Sequence, residues 1–451
     1  MTELPVSDAS DSDPVIGRAL RINVAAGFLG SIWIAVANGM ALPLFMEALH
    51  VSGFELGMLT AARQLSTLAQ VPAAYLGEGL VRRKPVWGLL CGTHRFLWLG
   101  PALLPWLFAG SADQWPLWII ACLGLSELLA NCSVSLWFSW MADLVPASRA
   151  GRFWGGRQRY LSVAILIAAL VFGVVLQKSA GLAGFQIVFV VGALFGVADI
   201  VLHLAVHEPP HRNREGCGGL VRLRQIWGNK RFRRLTWAMG LWTAAVTMPG
   251  YVSGLPSFFS VVYLKEALGA SYGEASLVFA AAALGGVLWT PAIGAWVDRR
   301  GASRVLVWLM IMGPLASLSW LCLGTQRVPG LGGVSAGVLV AGAASLWMGA
   351  AYAGVTLCQM RLTQECTEPG SRTLAMGMHL AAVGVLGAAG ALLAGAIKDH
   401  VGVTGFQLRP DWAPFSYFQV LILVQVSLVW LGAIPLACRL AAGPAQVKKG
   451  E

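Results

Sequence analysis

The sequence predicts an all-α integral membrane fold of twelve transmembrane helices, arranged as two pseudo-symmetric six-helix bundles. Three observations predict it: hydropathy, the placement of basic residues, and an internal repeat. Of 451 residues, 57% are hydrophobic and 12% charged, with mean hydropathy +0.68, whereas a soluble domain carries about a quarter charged residues. A helix crossing the roughly 30 Å hydrocarbon core takes about 20 apolar residues. Windows of that length, bounded by charge, Pro or Gly clusters, fall at 22–46, 55–79, 86–109, 116–138, 159–177, 185–206, 235–262, 274–297, 303–324, 333–358, 375–397 and 415–438. The 54 glycines are read as positions of close helix approach rather than as loops.

Residues 1–21 form a tail whose opening, MTELPVSDASDSDPVIG, is acidic and polar. It lacks the basic start, short apolar core and small-residue cleavage site of a signal peptide, so the first span is expected to act as its own insertion signal. Residues 22–206 and 235–438 then hold six windows each. Between them, 207–234 is the longest polar stretch between spans, and 439–451 is a second tail. Most of the 32 basic residues fall on one side, among them Arg18, Arg21, Arg82, Arg83, Lys84, Arg149, Arg152, Arg304, Arg361, Arg372, Lys448 and those of 207–234. The positive-inside bias makes that side cytoplasmic. Both termini are therefore expected in the cytoplasm of a bacterial-type inner membrane.

The net charge of +11 is then topological, meets anionic lipid headgroups and needs no nucleic-acid partner. The eight cysteines sit in predicted spans or on the cytoplasmic side, settings that favour neither disulfides nor, at these spacings, zinc. No metal and no other cofactor is expected.

The repeat is legible residue by residue. Glu47-Ala48-Leu49, Ser52 and Glu55 recur as Glu266-Ala267-Leu268, Ser271 and Glu274, a constant shift of 219 residues that also carries Pro72 onto Pro291. Arg149 pairs with Arg372 at a shift of 223. Two like halves rocking about a central site near the bilayer midplane are the architecture of a transporter. The expected partner is a small-molecule solute, with protons or sodium as candidate coupling ions, and the chain is expected to act as a monomer.

The loop after the eighth span reads Gly294-Ala-Trp-Val-Asp298-Arg299-Arg300-Gly301-Ala-Ser-Arg304. It resembles the GxxxDRxGxR/K signature of the major facilitator superfamily. The first-half copy, Gly77-Glu78-Gly79-Leu-Val-Arg82-Arg83-Lys84, keeps the glycine and basic cluster but lacks the aspartate, which puts a first-half latch in doubt. The stretch from Asp143 through Pro146, Arg149, Gly151 and Arg152 to Gly155 is similar to a second loop motif of bacterial members. The resemblance implies a twelve-helix transporter in which Gly294, Asp298, Arg299, Gly301, Arg304, Asp143, Arg149 and Arg152 serve topology and cytoplasmic gating rather than solute contact.

Ionisable groups inside spans are the better pointers to function, because each one costs several kcal/mol unless partnered or wetted. Arg63 lies about 12 Å into the second span and Glu127 about 16 Å into the fourth, at 1.5 Å per residue. His94 and Arg95 lie near the midplane of the third span. Asn131 shares a helix face with Glu127, Asn38 adds an amide in the first span, and Asp199 with His203 occupies the sixth. The shift places Ala282 and Ala350 opposite Arg63 and Glu127. Two readings stand: a structural network, or a solute or proton pathway through Arg63, His94, Arg95, Glu127, Asn131, Asn38 and Asp199. Trp242, Tyr251, Trp289, Trp347 and Tyr352 are candidate cavity aromatics.

No GxxxxGK(S/T) loop supports a nucleotide-driven pump. His207-Glu208-Pro-Pro-His211 has the HExxH spacing, but its two prolines place it in a polar loop rather than on a helix that would bring both histidines to one face, so it is read as solvated linker and no enzymatic activity is expected. The leading expectation is a secondary transporter of a small polar or charged solute. The alternatives are drug-like efflux on the same fold and a non-transporting membrane sensor or enzyme.

Overall fold

The computed structural model is described for residues 14–78, 80–108, 112–146, 150–179, 181–209, 219–252, 254–330, 333–367, 372–403, 406–407 and 409–442. It is mostly helical. The first half contains α1 (Pro14–Ala37), α2 (Ala41–Ala48), α3 (Gly53–Leu65), α4 (Gln70–Glu78), α5 (Lys84–Phe96), α6 (Gly100–Leu107), α7 (Trp115–Leu144), α8 (Ala150–Lys178) and α9 (Ala183–Leu204). The connector helix α10 (Gly219–Gly228) leads to α11 (Lys230–Thr247), α12 (Phe258–Leu268), α13 (Tyr272–Arg300), α14 (Ala302–Leu318), α15 (Ala336–Glu365), α16 (Arg372–Val401), α17 (Tyr417–Ser427) and α18 (Ile434–Ala441).

Every predicted window contains helix, but among the described residues nine stretches are long and apolar enough to cross a membrane. The windows at 55–79, 86–109 and 235–262 are not among them: Arg63, Gln64 and Gln70 in the first and His94 and Arg95 in the second lower their apolarity, and the third is broken. In the first, α3 tightens into a 3-10 turn over Ser66–Ala69 before α4, in a segment carrying Arg63, Gln64 and Gln70. In the second, a 3-10 turn over Leu97–Leu99 precedes Pro101. In the third, ten residues separate α11 from α12, and a short antiparallel pair, β1 (Tyr251–Val252) and β2 (Leu255–Pro256), fills the gap. Pro249 and Pro256 cannot donate to a helical ladder, and Gly250 and Gly254 adopt φ of 86° and 80°, a region L side chains avoid.

The repeated Ser…Glu pattern proves to be a helix-start signal used twice. Ser52 with Glu55, and Ser271 with Glu274, form capping boxes at the starts of α3 and α13. Each start is also reached from the opposite half. Asp399 on α16 accepts from Gly53 N at 2.5 Å and Phe54 N at 2.7 Å, and Gln177 on α8 accepts from Gly273 N at 3.4 Å. These caps follow the main contacts between halves, in which α16 packs on α3 and α4, α8 on α13, and α2 on α12.

The apolar cores are distributed unevenly. One large core joins the ends of spans from both halves on the side away from the termini, with Phe45, Leu59, Trp98, Phe189, Phe259, Tyr263, Trp320 and Phe418 all within it. On the side of the termini the two halves have cores of their own. Trp87, Trp140, Met141 and Leu144 build one, and Leu235, Trp242, Leu306, Met310 and Leu362 the other.

Asp399→Ala removes the acceptor from two helix N–H groups and should destabilise detergent-purified protein by about 1 kcal/mol. Gln177→Ala, losing a longer and uncharged contact, should cost less. Thermal unfolding of the two variants side by side checks the order.

Candidate functional site

The first predicted span is interrupted at Asn38–Met40, between α1 and α2. Arg63, in the last turn of α3, lies against that interruption. Its Nη1 donates to the Ala37 carbonyl at 2.9 Å and its Nη2 to Asn38 Oδ1 at 2.6 Å. Its Nε lies 2.9 Å from Glu127 Oε1 on α7, in an ion pair too poorly aligned to give that oxygen a hydrogen bond. One turn along α7, Asn131 donates to Ser66 Oγ at 2.7 Å and accepts from Gln70 Nε2 at 2.6 Å. Gln70 was not foreseen; its only signal was an amide one turn beyond Ser66 and two turns beyond Arg63.

The second half meets this site at its own helix break. The Phe258 ring, which opens α12 with φ of 34°, lies 5.9 Å from the Arg63 guanidinium. Ser257 Oγ donates to the Gly39 carbonyl at 3.3 Å. Gly39 and Phe258 are 219 residues apart, so the two breaks occupy one position of the repeat. The Arg63 and Glu127 side chains are 12% and 14% exposed.

Arg95 does not join them. Its Nη2 is 3.3 Å from Asp199 Oδ2, and its guanidinium lies 3.5 Å over the Trp33 ring. His94 contacts Arg95 Nη1 at 3.3 Å through Nε2, and Ser126 Oγ at 2.7 Å through Nδ1. Asp199 Oδ1 takes His203 Nδ1 at 2.8 Å. Arg157 occupies Asn23 Oδ1 at 2.8 Å, which turns the Asn23 amide N–H toward His203 Nε2 at 3.1 Å. His203 Nε2 therefore accepts, and its Nδ1–H donates to Asp199. Gly30 makes room for this network, since a Cβ there would collide with the Asp199 carboxylate. His94, Asp199 and His203 are buried, within the helices of the first half.

The terminal-side loops are paired within each half. Arg83, fully buried, donates through Nη1 to Asp143 at 2.6 Å and Ser139 at 2.8 Å, while its backbone N–H donates to Glu208 at 2.7 Å. Lys84 caps the end of α9 through the Leu204 and Val206 carbonyls. In the second half Arg361 donates to Asp298 at 2.5 Å and lies 3.4 Å from Glu365. The aspartate missing from the first-half loop is thus supplied by α7, with the charges of helix and loop exchanged. Gly301 joins α13 to α14 with φ of 84°; Gly294 and Arg299 lie on α13 and Arg304 on α14. Arg149 lies outside the described residues, and Arg152 is placed only as part of α8.

The sequence profile of the Major Facilitator Superfamily matches residues 24–347, more than half the chain. The chain belongs to the major facilitator superfamily. Solved structures of the same fold include a mutant of the nucleoside transporter NupG, with TM-score 0.69, 13% identity and coverage of 94% of this chain and 99% of that one. The D-xylose-proton symporter gives TM-score 0.69, 15% identity and coverage of 92% and 97%. A bacterial homologue of the iron transporter ferroportin in its inward-facing state gives 0.65, 14%, and 94% and 99%. No curated protein matches the chain in sequence.

Within this superfamily fold the repeat extends to the buried polar positions. Trp98 recurs as Trp320 and Arg95 as Ser317, both 222 residues on, and Ser126 recurs as Ser345 at 219. Gln425, on α17, is also fully buried. The second half therefore keeps the tryptophan and one serine and places a neutral serine at the Arg95 position. It has a further buried polar group in His379, which contacts Thr236 Oγ1 and Gln359 Nε2 at 2.9 Å each. The candidate aromatics do not share one wall. Trp242 and Tyr251 are fully buried, Trp289 and Trp347 meet on an exposed face, and Tyr352 packs on Gly254.

Arg95→Ser or Asp199→Asn alone should destabilise the protein by about 3 kcal/mol, because each leaves one buried charge unpaired. The double substitution should cost less than either single one. Denaturation in detergent, read as a double-mutant cycle, measures the coupling.

Proposed function

We propose that the chain is a secondary active transporter that moves a small polar or charged solute by alternating access, with Arg63, Glu127, Asn38, Asn131 and Gln70 forming the solute site. In this reading twelve spans form two six-helix bundles, with both termini cytoplasmic in a bacterial-type inner membrane. The carrying observation is the Arg63–Glu127 pair, partly exposed where the interrupted first span meets Phe258 of the other half. Irregular backbone at membrane depth is tolerated only where protein buries it or a cavity needs it. Here it turns the Ala37 carbonyl toward a guanidinium.

The uneven cores support alternating access. The halves share one core away from the termini and keep separate ones beside them, the arrangement of a state open toward the cytoplasm. Opening the other way requires parting the shared core and the Asp399 and Gln177 caps. It also requires Asp143, Asp298 and the basic residues of Arg149, Arg152, Arg299 and Arg304 to approach across the terminal side, the gating role assigned to those loops. His94, Arg95 and Asp199 serve as the rigid frame behind the site. The Glu127 carboxylate can take a proton and release Arg63, which makes it the group able to couple solute movement to a proton gradient.

Arg63→Ala and Glu127→Ala should each reduce solute flux in vesicles to less than a tenth of the wild-type rate while the protein remains folded in the membrane. Trp289→Ala, on the exposed face, should leave flux within twofold. Flux undiminished in both site variants would sink the assignment.

A further inference from the structure

Resting on the site just proposed, we infer that the solute is a zwitterion, carrying one anionic and one cationic group within a single small molecule. Arg63 and Glu127 are 2.9 Å apart, so the site brings one basic and one acidic side chain together. The other arginine deep in the spans, Arg95, is held by Asp199 and stacked on Trp33, so it adds no charge here. The charges the site offers a solute therefore sum to zero.

That balance discriminates between solute classes. A monoanion on Arg63 sets two negative groups against one guanidinium, and a monocation on Glu127 sets two positive groups against one carboxylate. Either leaves one charge uncompensated in a poorly solvated place. A neutral polyol can hydrogen-bond the pair but neutralises neither member once the two part, and the amides are already engaged: Asn38 with Arg63, and Gln70 with Asn131, which also bonds Ser66. The unused capacity lies in the ion pair itself. A guanidinium has five N–H donors and a carboxylate about four acceptor positions. Arg63 uses Nη1 and Nη2 once each on Ala37 and Asn38, and Glu127 Oε1 accepts no aligned hydrogen bond. A zwitterion entering between the two replaces one internal ion pair by two external ones, and site plus solute stays neutral throughout. Its cationic group also occupies the carboxylate that a proton would otherwise hold, so solute and proton exclude each other there.

The test uses purified full-length protein and three size series built on L-alanine, L-phenylalanine and L-alanyl-L-alanine. Each zwitterion is compared by calorimetric titration with three matched solutes: the monoanion with hydroxyl for amine, the monocation with amide for acid, and the neutral analogue with both changes. In at least one series the zwitterion should bind tenfold or more tightly than its three partners. Glu127→Gln, which leaves Arg63 unneutralised, should move the preference to the monoanion by at least tenfold, while Arg63→Lys, with both charges kept, should still favour the zwitterion. The inference is overturned if any singly charged or neutral member binds as tightly as its zwitterion, if no zwitterion binds in any series, or if Glu127→Gln keeps the zwitterion preference. Flux of a sugar that is lost in Arg63→Ala would overturn this inference and leave the site standing; flux of a zwitterion that survives both alanine substitutions would overturn the site itself.

Discussion

A charged side chain within a bilayer has no water to fall back on, so it must be held by an opposite charge or by backbone carbonyls that have lost their helical partners. The internal layout of the first half follows from that constraint. Arg63 uses both solutions, with Glu127 on one side and the carbonyl freed by the break after α1 on the other. Arg95 uses Asp199 and the face of Trp33, and Gly30 supplies the space. The helix break and the missing Cβ are therefore parts of the charge arrangement. Remove either and a guanidinium or a carboxylate loses its place.

Much of this was legible in the sequence. Apolar windows fell on all nine stretches that are long and apolar enough to cross a membrane among the described residues, and the Ser52…Glu55 and Ser271…Glu274 repeat marked two helix starts that the structure caps as the pattern requires. The interruptions were not legible in the same way. A window of about 20 residues averages over a local break, so 235–262 read as one span although Pro249, Gly250, Gly254 and Pro256 divide it.

Partner choice was harder still. Arg63 and Arg95 looked like members of one site because both lie near mid-depth, and depth along an axis does not tell which face of a bundle a residue occupies. The first-half latch misled for a different reason. A motif records residue types at fixed places in one loop, whereas the pairing it serves can be kept by moving the acid to a neighbouring helix, as Asp143 does for Arg83. The Asp399 and Gln177 caps, formed across 346 and 96 positions of chain, had no local signal at all.

The two halves share one frame, but only one of them is charged at its centre. Ser317 stands in the second half where Arg95 stands in the first, three residues before the matched tryptophans Trp320 and Trp98. Descent of both halves from one duplicated ancestor then faces a barrier. Either charge arriving or departing alone would strand its partner in the bilayer at a cost comparable to a sizeable part of a protein's whole stability. The exchange between charged and uncharged frames has to be concerted, or to pass through a neutral polar residue such as the serine that the second half carries at the Arg95 position. Once such a pair is in place, the same barrier protects it from drift.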